Sequence, residues 1–213
     1  MTVTPEDVLA AAKGMLAAGL VAGTAGNVSG RLADGTVCAT PSSLPYGPME
    51  VADLVVVDRD GTVVDGSRPP TSELALHLAC YRAFPEVHGV VHAHPVHASA
   101  FAVVGRPVPA VIEEAVLFVG GDVPVCGFRA TGSAALGEEA CRHLADRGAA
   151  LLANHGLVAV GRDPDDALHV ATVVERVAHV AWAASALGAA VPVPPDAVGA
   201  LARAYRARRA SSP

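Results

Sequence analysis

The segment Gly89-Val-Val-His-Ala-His94 constrains this chain more than any other stretch. Its apolar run is stopped by Pro95, so it reads as a buried strand, with Pro95 opening a helix through Val96-His-Ala-Ser-Ala-Phe. Side chains alternate along a strand, so His92 and His94 point to the same side, about 7 Å apart. Two imidazoles so placed either converge on one metal ion or are satisfied histidines of core or surface, and the pair alone admits both readings.

Around this strand the pattern mixes hairpins with helices. Thr4-Pro5-Glu6-Asp7 is a helix start, with an N-cap hydroxyl, proline at the first helical position and acids in the first turn. The helix runs to about Ala18, with Gly19 as its stop. Strands are expected at about 36–40 and 53–58, then Asp60-Gly61 as a turn into 62–64. A helix over about 72–83 closes at Pro85, and short strands are expected near 108–112 and 123–126. A helix near 133–147 feeds strands at 149–153 and 157–160. Asp163-Pro164 opens the longest helix, to about Leu187, and Pro195 opens a C-terminal helix over about 195–210. Strands and helices do not alternate as strict β-α-β units. A three-layer α/β/α arrangement around a mainly antiparallel sheet, in one domain spanning 1–213, is therefore the expected fold.

Composition removes several classes of function. A 52% apolar share against 17% charged residues is ample for a globular core, and aromatic residues at only 4% leave Val, Leu and Ala to build it. Net charge −6 argues against nucleic acid as a partner; the one basic cluster, Arg203, Arg206, Arg208 and Arg209, reads as a solvated helix face. Cys38, Cys80, Cys126 and Cys141 form no C-x-x-C pair, which fits reduced thiols in the cytoplasm. No secretory signal is visible at the N-terminus. The apolar stretch around Val177–Val193 is broken by His179, Ser185, Gly188 and Pro192, so it reads as a core helix rather than a membrane span. Lys13, in the first helix, is the single lysine, so Schiff-base chemistry lacks a candidate and carbonyl chemistry would rely on a metal.

Asn154-His155-Gly156 sits where the apolar strand 149–153 breaks off, and a third imidazole completes the His₃ set of catalytic zinc sites. Glu73, after two hydroxyl residues at a helix start, is either a helix-dipole partner or a labile metal ligand that serves as a base. His77, one turn later on the same face, is read as a core histidine rather than a partner of the site. Three small-residue segments, Gly26-Asn27-Val28-Ser29, Thr40-Pro41-Ser42-Ser43 and Thr71-Ser72, offer backbone N–H groups and hydroxyls to a phosphate; each alone is an ordinary turn or cap.

Taken in order, Gly23-Thr-Ala-Gly-Asn-Val-Ser-Gly-Arg31, Thr40-Pro-Ser-Ser-Leu-Pro-Tyr46, Asp53-Leu-Val-Val-Val-Asp58, Pro70-Thr-Ser-Glu-Leu-Ala-Leu-His77, His92-Ala-His-Pro95 and Asn154-His-Gly156 resemble the class II aldolase and adducin head-domain family. The likeness covers about residues 5–187 and is nearest to the family's bacterial L-fuculose-phosphate aldolase branch. It implies a homotetramer with active sites at subunit interfaces and a small phosphorylated sugar as substrate. It also implies Zn²⁺, or another divalent metal, on His92, His94 and His155, with Glu73 as labile fourth ligand and base. Gly26, Asn27, Ser42, Ser43, Thr71 and Ser72 fall on its phosphate-binding positions.

The expected reaction is reversible cleavage of a ketose 1-phosphate to dihydroxyacetone phosphate and a small aldehyde. Pentulose-phosphate 4-epimerases, sugar-acid phosphate decarboxylases and a thioribulose-phosphate dehydratase are the family alternatives. An acid of glutamate length at position 73 favours aldolase, because the epimerases carry aspartate there. Adducin heads, which are interaction modules, lack the three histidines. Two departures stand out. Ser43 replaces a family glycine, and Val111-Ile-Glu-Glu-Ala115 lacks the family's proton-donating tyrosine, leaving Glu113 or Glu114 as substitutes. Tyr205 is a loose match to a second family tyrosine.

Overall fold

The computed structural model describes residues 2–210. One eight-stranded sheet runs in the order β4-β3-β2-β1-β5-β8-β7-β6. Its strands are β1 (Asn27–Arg31), β2 (Val37–Ala39), β3 (Val55–Val57), β4 (Val63–Asp65), β5 (Gly89–Ala93), β6 (Val125–Cys126), β7 (Ala149–Leu152) and β8 (Gly156–Gly161). Every neighbouring pair is antiparallel except β6 with β7.

The two faces of the sheet carry different helices. Val28, Val91, Leu157 and Ala159 pack on one side with residues of α1 (Pro5–Ala17), α3 (Val96–Val103) and α5 (Pro164–Leu187). Val37, Val90, Ala150, Val158 and Val160 pack on the other with α2 (Leu74–Ala83) and α4 (Ala134–Leu144). The α/β/α layering is as expected. The period-2 rule then fixes the site: His92, two residues from Val90 and opposite Val158, faces the α2 layer. Asn27 and Ser29, flanking the inward Val28, face the same way.

Helix ends follow the sequence closely. Thr4 and Asp7 form a reciprocal capping box at α1, and the Asp163 carboxylate accepts from the Asp166 N–H at α5. By length and composition α5 would suffice to cross a membrane; here its inner face, including Ala167, Val170, Val174, Val177 and Ala181, is buried against α1, α3, β5 and β8. α6 (Pro195–Ala210) packs on a π-helical turn over Ala115–Val119.

One expectation needs correction, and one feature carried none. No strand forms over 108–112: only Val108 pairs, in an isolated bridge to Val123, because Pro107 and Pro109 lack the N–H groups a ladder requires. The π-helical turn at Ala115–Val119 carried no expectation; it ends at Gly120, whose φ is +99°.

Candidate metal centre

Four elements deliver the cluster. Glu73 stands immediately before α2, His92 lies within β5, His94 follows it, and His155 occupies the β7–β8 turn. Their potential ligand atoms all lie within 4.8 Å of one another, an arrangement able to hold a metal ion. Glu73 and His92 are buried, while His94 and His155 are half-buried, so the cluster is open on the histidine side.

The His92 ring is held from behind, and the backbone places His94 and His155. His92 Nδ1 lies 2.8 Å from the Leu157 carbonyl, which only accepts, so Nδ1 carries a proton and Nε2 is the ring nitrogen turned to the cluster. The backbone N–H of His94 donates to the Leu20 carbonyl at 3.1 Å. Just beyond it, the Glu175 carboxylate accepts from the N–H groups of His97 and Ala98 at 3.0 and 2.9 Å and anchors the start of α3. His155 is turned inward by Asn154, whose φ of +57° is a left-handed conformation that asparagine tolerates. After it, Gly156 leaves no room for a side chain: a Cβ there would lie 2.4 Å from the Ala93 carbonyl oxygen and 2.6 Å from His94 Cδ2.

Glu73 occupies the N-cap position of α2, but its side chain makes no capping bond. The carboxylate turns to the histidines instead. Oε2 lies 2.8 Å from His92 Nε2 and accepts from Asn27 Nδ2 at 3.2 Å, and Oε1 lies 3.5 Å from His155 Nε2. Burial alone would raise the carboxyl pKa; the hydrogen bond and charge of His92, with His155 and Asn27, outweigh it and bring the group down to about 2. Burial and neighbouring imidazoles lower His94 to about 4 and push His155 below its ordinary value. Both therefore stay neutral near pH 7, the form that binds metal.

This donor set fits a metal ion. His92 Nε2 faces a carboxylate oxygen at 2.8 Å and His94 Nε2 at 2.9 Å, and such a junction requires positive charge. A cation there would also satisfy Glu73 Oε1, which is buried without a hydrogen-bond partner.

The three small-residue segments meet beside Glu73. Thr40 Oγ1 accepts from the Val28 N–H at 3.2 Å, and the Thr71 N–H donates to the Thr40 carbonyl at 3.1 Å. The Ser42 N–H donates to the Pro69 carbonyl, and Pro41 bridges Pro70. Thr71 Oγ1 accepts from the Glu73 N–H, which ties this group to Glu73. Gly26, at φ +75° and with no space for a Cβ beside the His92 carbonyl, ends the loop entering β1. Ser43 sits at φ +59°, so the serine adopts the backbone that a glycine takes without cost.

The remaining candidates lie elsewhere in the chain. Glu113 is exposed, and Glu114 pairs with Arg176 of α5 at 3.7 Å. Tyr205 is buried against Gly120, with Arg209 Nη1 donating to its hydroxyl at 3.2 Å. None of the three makes a hydrogen bond or ion pair to the cluster among the described residues. Sequence reasoning also missed members of the surroundings. His77 is in the core, as expected, yet it is joined to Glu73 through Asn27, and Ser29 and Tyr81 lie behind it. The signal was there: Asn27 and Ser29 share a strand face, and His77 and Tyr81 are four apart on α2.

The family model for the class II aldolase and adducin N-terminal domain matches residues 6–182. The 5-deoxy-D-ribulose 1-phosphate aldolase of Bacillus thuringiensis serovar kurstaki is 34% identical over 201 residues, 94% of each chain. The L-ribulose-5-phosphate 4-epimerase of Salmonella paratyphi B is 38% identical over 188 residues, 81% of each. A solved L-fuculose 1-phosphate aldolase superposes with a TM-score of 0.90 at 28% identity, covering 96% of this chain and 98% of its own. With its fold, its metal-competent cluster and these likenesses in agreement, the chain belongs to the class II aldolase and adducin family.

Proposed function

We propose that the chain is a zinc-dependent aldolase that reversibly cleaves a ketose 1-phosphate to dihydroxyacetone phosphate and a small aldehyde. The observation that carries this reading is the convergence of Glu73, His92, His94 and His155 within 4.8 Å at a half-open site. Three imidazoles and a labile carboxylate suit zinc, which as a Lewis acid polarises a carbonyl oxygen. His92, His94 and His155 are the permanent holders. Glu73 is the mobile one: a carboxylate that leaves a positively charged centre as substrate enters regains basicity. It then moves the proton at the substrate carbon or hydroxyl. The Ser42, Ser43, Thr71 and Ser72 hydroxyls and N–H groups, with Gly26 and Asn27 closing the loop, hold the phosphate next to that base.

The family resemblance further supports a homotetramer with active sites at subunit interfaces, in the cytoplasm. Exposed Val96, Val103, Val104 and Trp182 give such an assembly an apolar face to cover. In that arrangement Glu113, Glu114 or Tyr205 would supply the proton donor by way of a neighbouring subunit. A second reading, 4-epimerisation of a pentulose 5-phosphate, is favoured by the 38% identical epimerase and by the missing tyrosine in 111–115. A coupled assay for dihydroxyacetone phosphate across ketose 1-phosphates, run beside an epimerisation assay on pentulose 5-phosphates, separates them. Release of dihydroxyacetone phosphate supports the aldolase; epimerisation without release replaces it.

A further inference from the structure

Behind Glu73 runs a line of polar groups in the α2 layer of the core. Asn27 Nδ2 is 3.2 Å from Glu73 Oε2, Asn27 Oδ1 is 2.5 Å from His77 Nε2, and His77 Nδ1 is 2.6 Å from Ser29 Oγ. Ser29 Oγ is in turn 2.8 Å from the Tyr81 hydroxyl. All five residues are buried, and Ser29 and His77 have no exposed surface at all. In such surroundings every donor must meet an acceptor, and the chemistry of the members then fixes the direction of each bond.

The direction is set at the Glu73 end. An ionised carboxylate only accepts, so Asn27 presents its NH₂ there and its carbonyl oxygen to His77. That oxygen accepts, so His77 Nε2 carries a proton. Burial holds the ring neutral by bringing its pKa down to about 3, so Nδ1 is an acceptor and Ser29 must donate to it. Ser29 has then used its one proton, so the Tyr81 hydroxyl donates to Ser29. Protons point one way along the line: Tyr81 to Ser29 to His77 to Asn27 to Glu73. The reverse amide orientation of Asn27 would set oxygen against oxygen at Glu73 and NH₂ against N–H at His77.

We propose that His77 is a positioning residue, which by its Nε2–H tautomer locks the Asn27 amide and so pins Glu73 by Oε2 alone. Oε1, which lacks a hydrogen-bond partner and lies 3.5 Å from His155 Nε2, is left facing the histidines. The inference rests on the reading of Glu73 as the proton-transferring base. His77 touches no substrate and acts through Asn27.

The test has two arms on the metal-loaded protein. Neutron diffraction of the wild type should place deuterium on His77 Nε2 and none on Nδ1, with the Asn27 ND₂ group toward Glu73. Deuterium on Nδ1 alone, or a reversed amide, overturns the inference whatever reaction the enzyme performs. In the second arm, His77→Phe should keep its metal and KM while kcat falls about 10–100-fold, the usual loss on removing such a partner. His77→Gln, which can donate to Asn27 and accept from Ser29, should recover most of the rate. Equal rates in the two variants, high or low, would reduce His77 to packing. Rates are measured on whichever sugar phosphate the wild type turns over, so failure of the aldolase reading shows as the absence of dihydroxyacetone phosphate release. Should His77→Phe not fold, the neutron map decides alone.

Discussion

Glu73→Gln separates a proton-transferring base from a metal ligand and from a structural acid. Nothing in the local packing should suffer. The glutamine carbonyl can take the place of Oε2 and accept from Asn27 Nδ2, while its NH₂ takes the place of Oε1, opposite His155 Nε2. No buried group loses its hydrogen-bond partner, so the fold should be kept, with stability lower near pH 7 because the site favours the ionised carboxylate. Three imidazoles remain to hold the metal. What disappears is the ability to accept a proton, which costs about 10²–10⁴-fold in rate, or about 2.7–5.5 kcal/mol of barrier. The assay is kcat for dihydroxyacetone phosphate release at saturating substrate, with metal content and the urea midpoint measured on the same sample. Turnover near the wild-type rate would refute the argument and make Glu73 an electrostatic neighbour only. Loss of metal together with activity would make it a ligand first, and the search for the base would move to Glu113 or Glu114.

Two further perturbations test the scaffold. Gly156→Ala drives a Cβ into the Ala93 carbonyl and the His94 ring, and overpacking of this kind costs about 1–3 kcal/mol; a lower urea midpoint and weaker metal retention are expected, and an unchanged midpoint would show that β8 shifts freely. The unfolded chain protonates His77 near its ordinary value of about 6.5, whereas the folded chain resists until about pH 3. Stability should therefore fall as pH drops below about 6.5, at up to about 1.4 kcal/mol per unit, or about 2 kcal/mol by pH 5. Urea titrations at pH 7.5 and 5 should show that loss in the wild type and a correspondingly shallower one in His77→Gln; equal losses would mean His77 is protonated in the fold.

The sequence made the layers and the ligand set readable because both rest on local rules. Period-2 alternation put His92 and His94 on one side, and the cap at Thr4, the stop at Gly19 and Asp163-Pro164 marked helix ends within a residue or two. Other features were not legible because they depend on what lies opposite. Nothing near position 27 says that Asn27 stands across the ladder from His92, or that α2 packs its His77 and Tyr81 over Ser29. That pairing follows from a strand order, β2-β1-β5-β8, which joins segments far apart in the chain. The strand expected at 108–112 failed for a local reason that was available, since Pro107 and Pro109 punctuate it. The π-helical turn after it had no such signal, because its shape is set by packing against α5 and α6. Ser43 read as a departure from family glycine, and only its φ of +59° shows that this serine takes a left-handed backbone that glycine adopts without cost.

If Glu73, His92, His94 and His155 form one metal centre, activity depends on the ion they hold. Elemental analysis of the purified protein tests it most directly, with His92→Ala as the comparison. Three inward imidazoles predict about one divalent ion per chain, zinc before others, in the wild type. His92→Ala should lose both the ion and the turnover, and chelation followed by zinc should remove and restore activity in the wild type. A wild-type protein that holds no metal and keeps its full activity in chelator would show that the four residues are no metal centre.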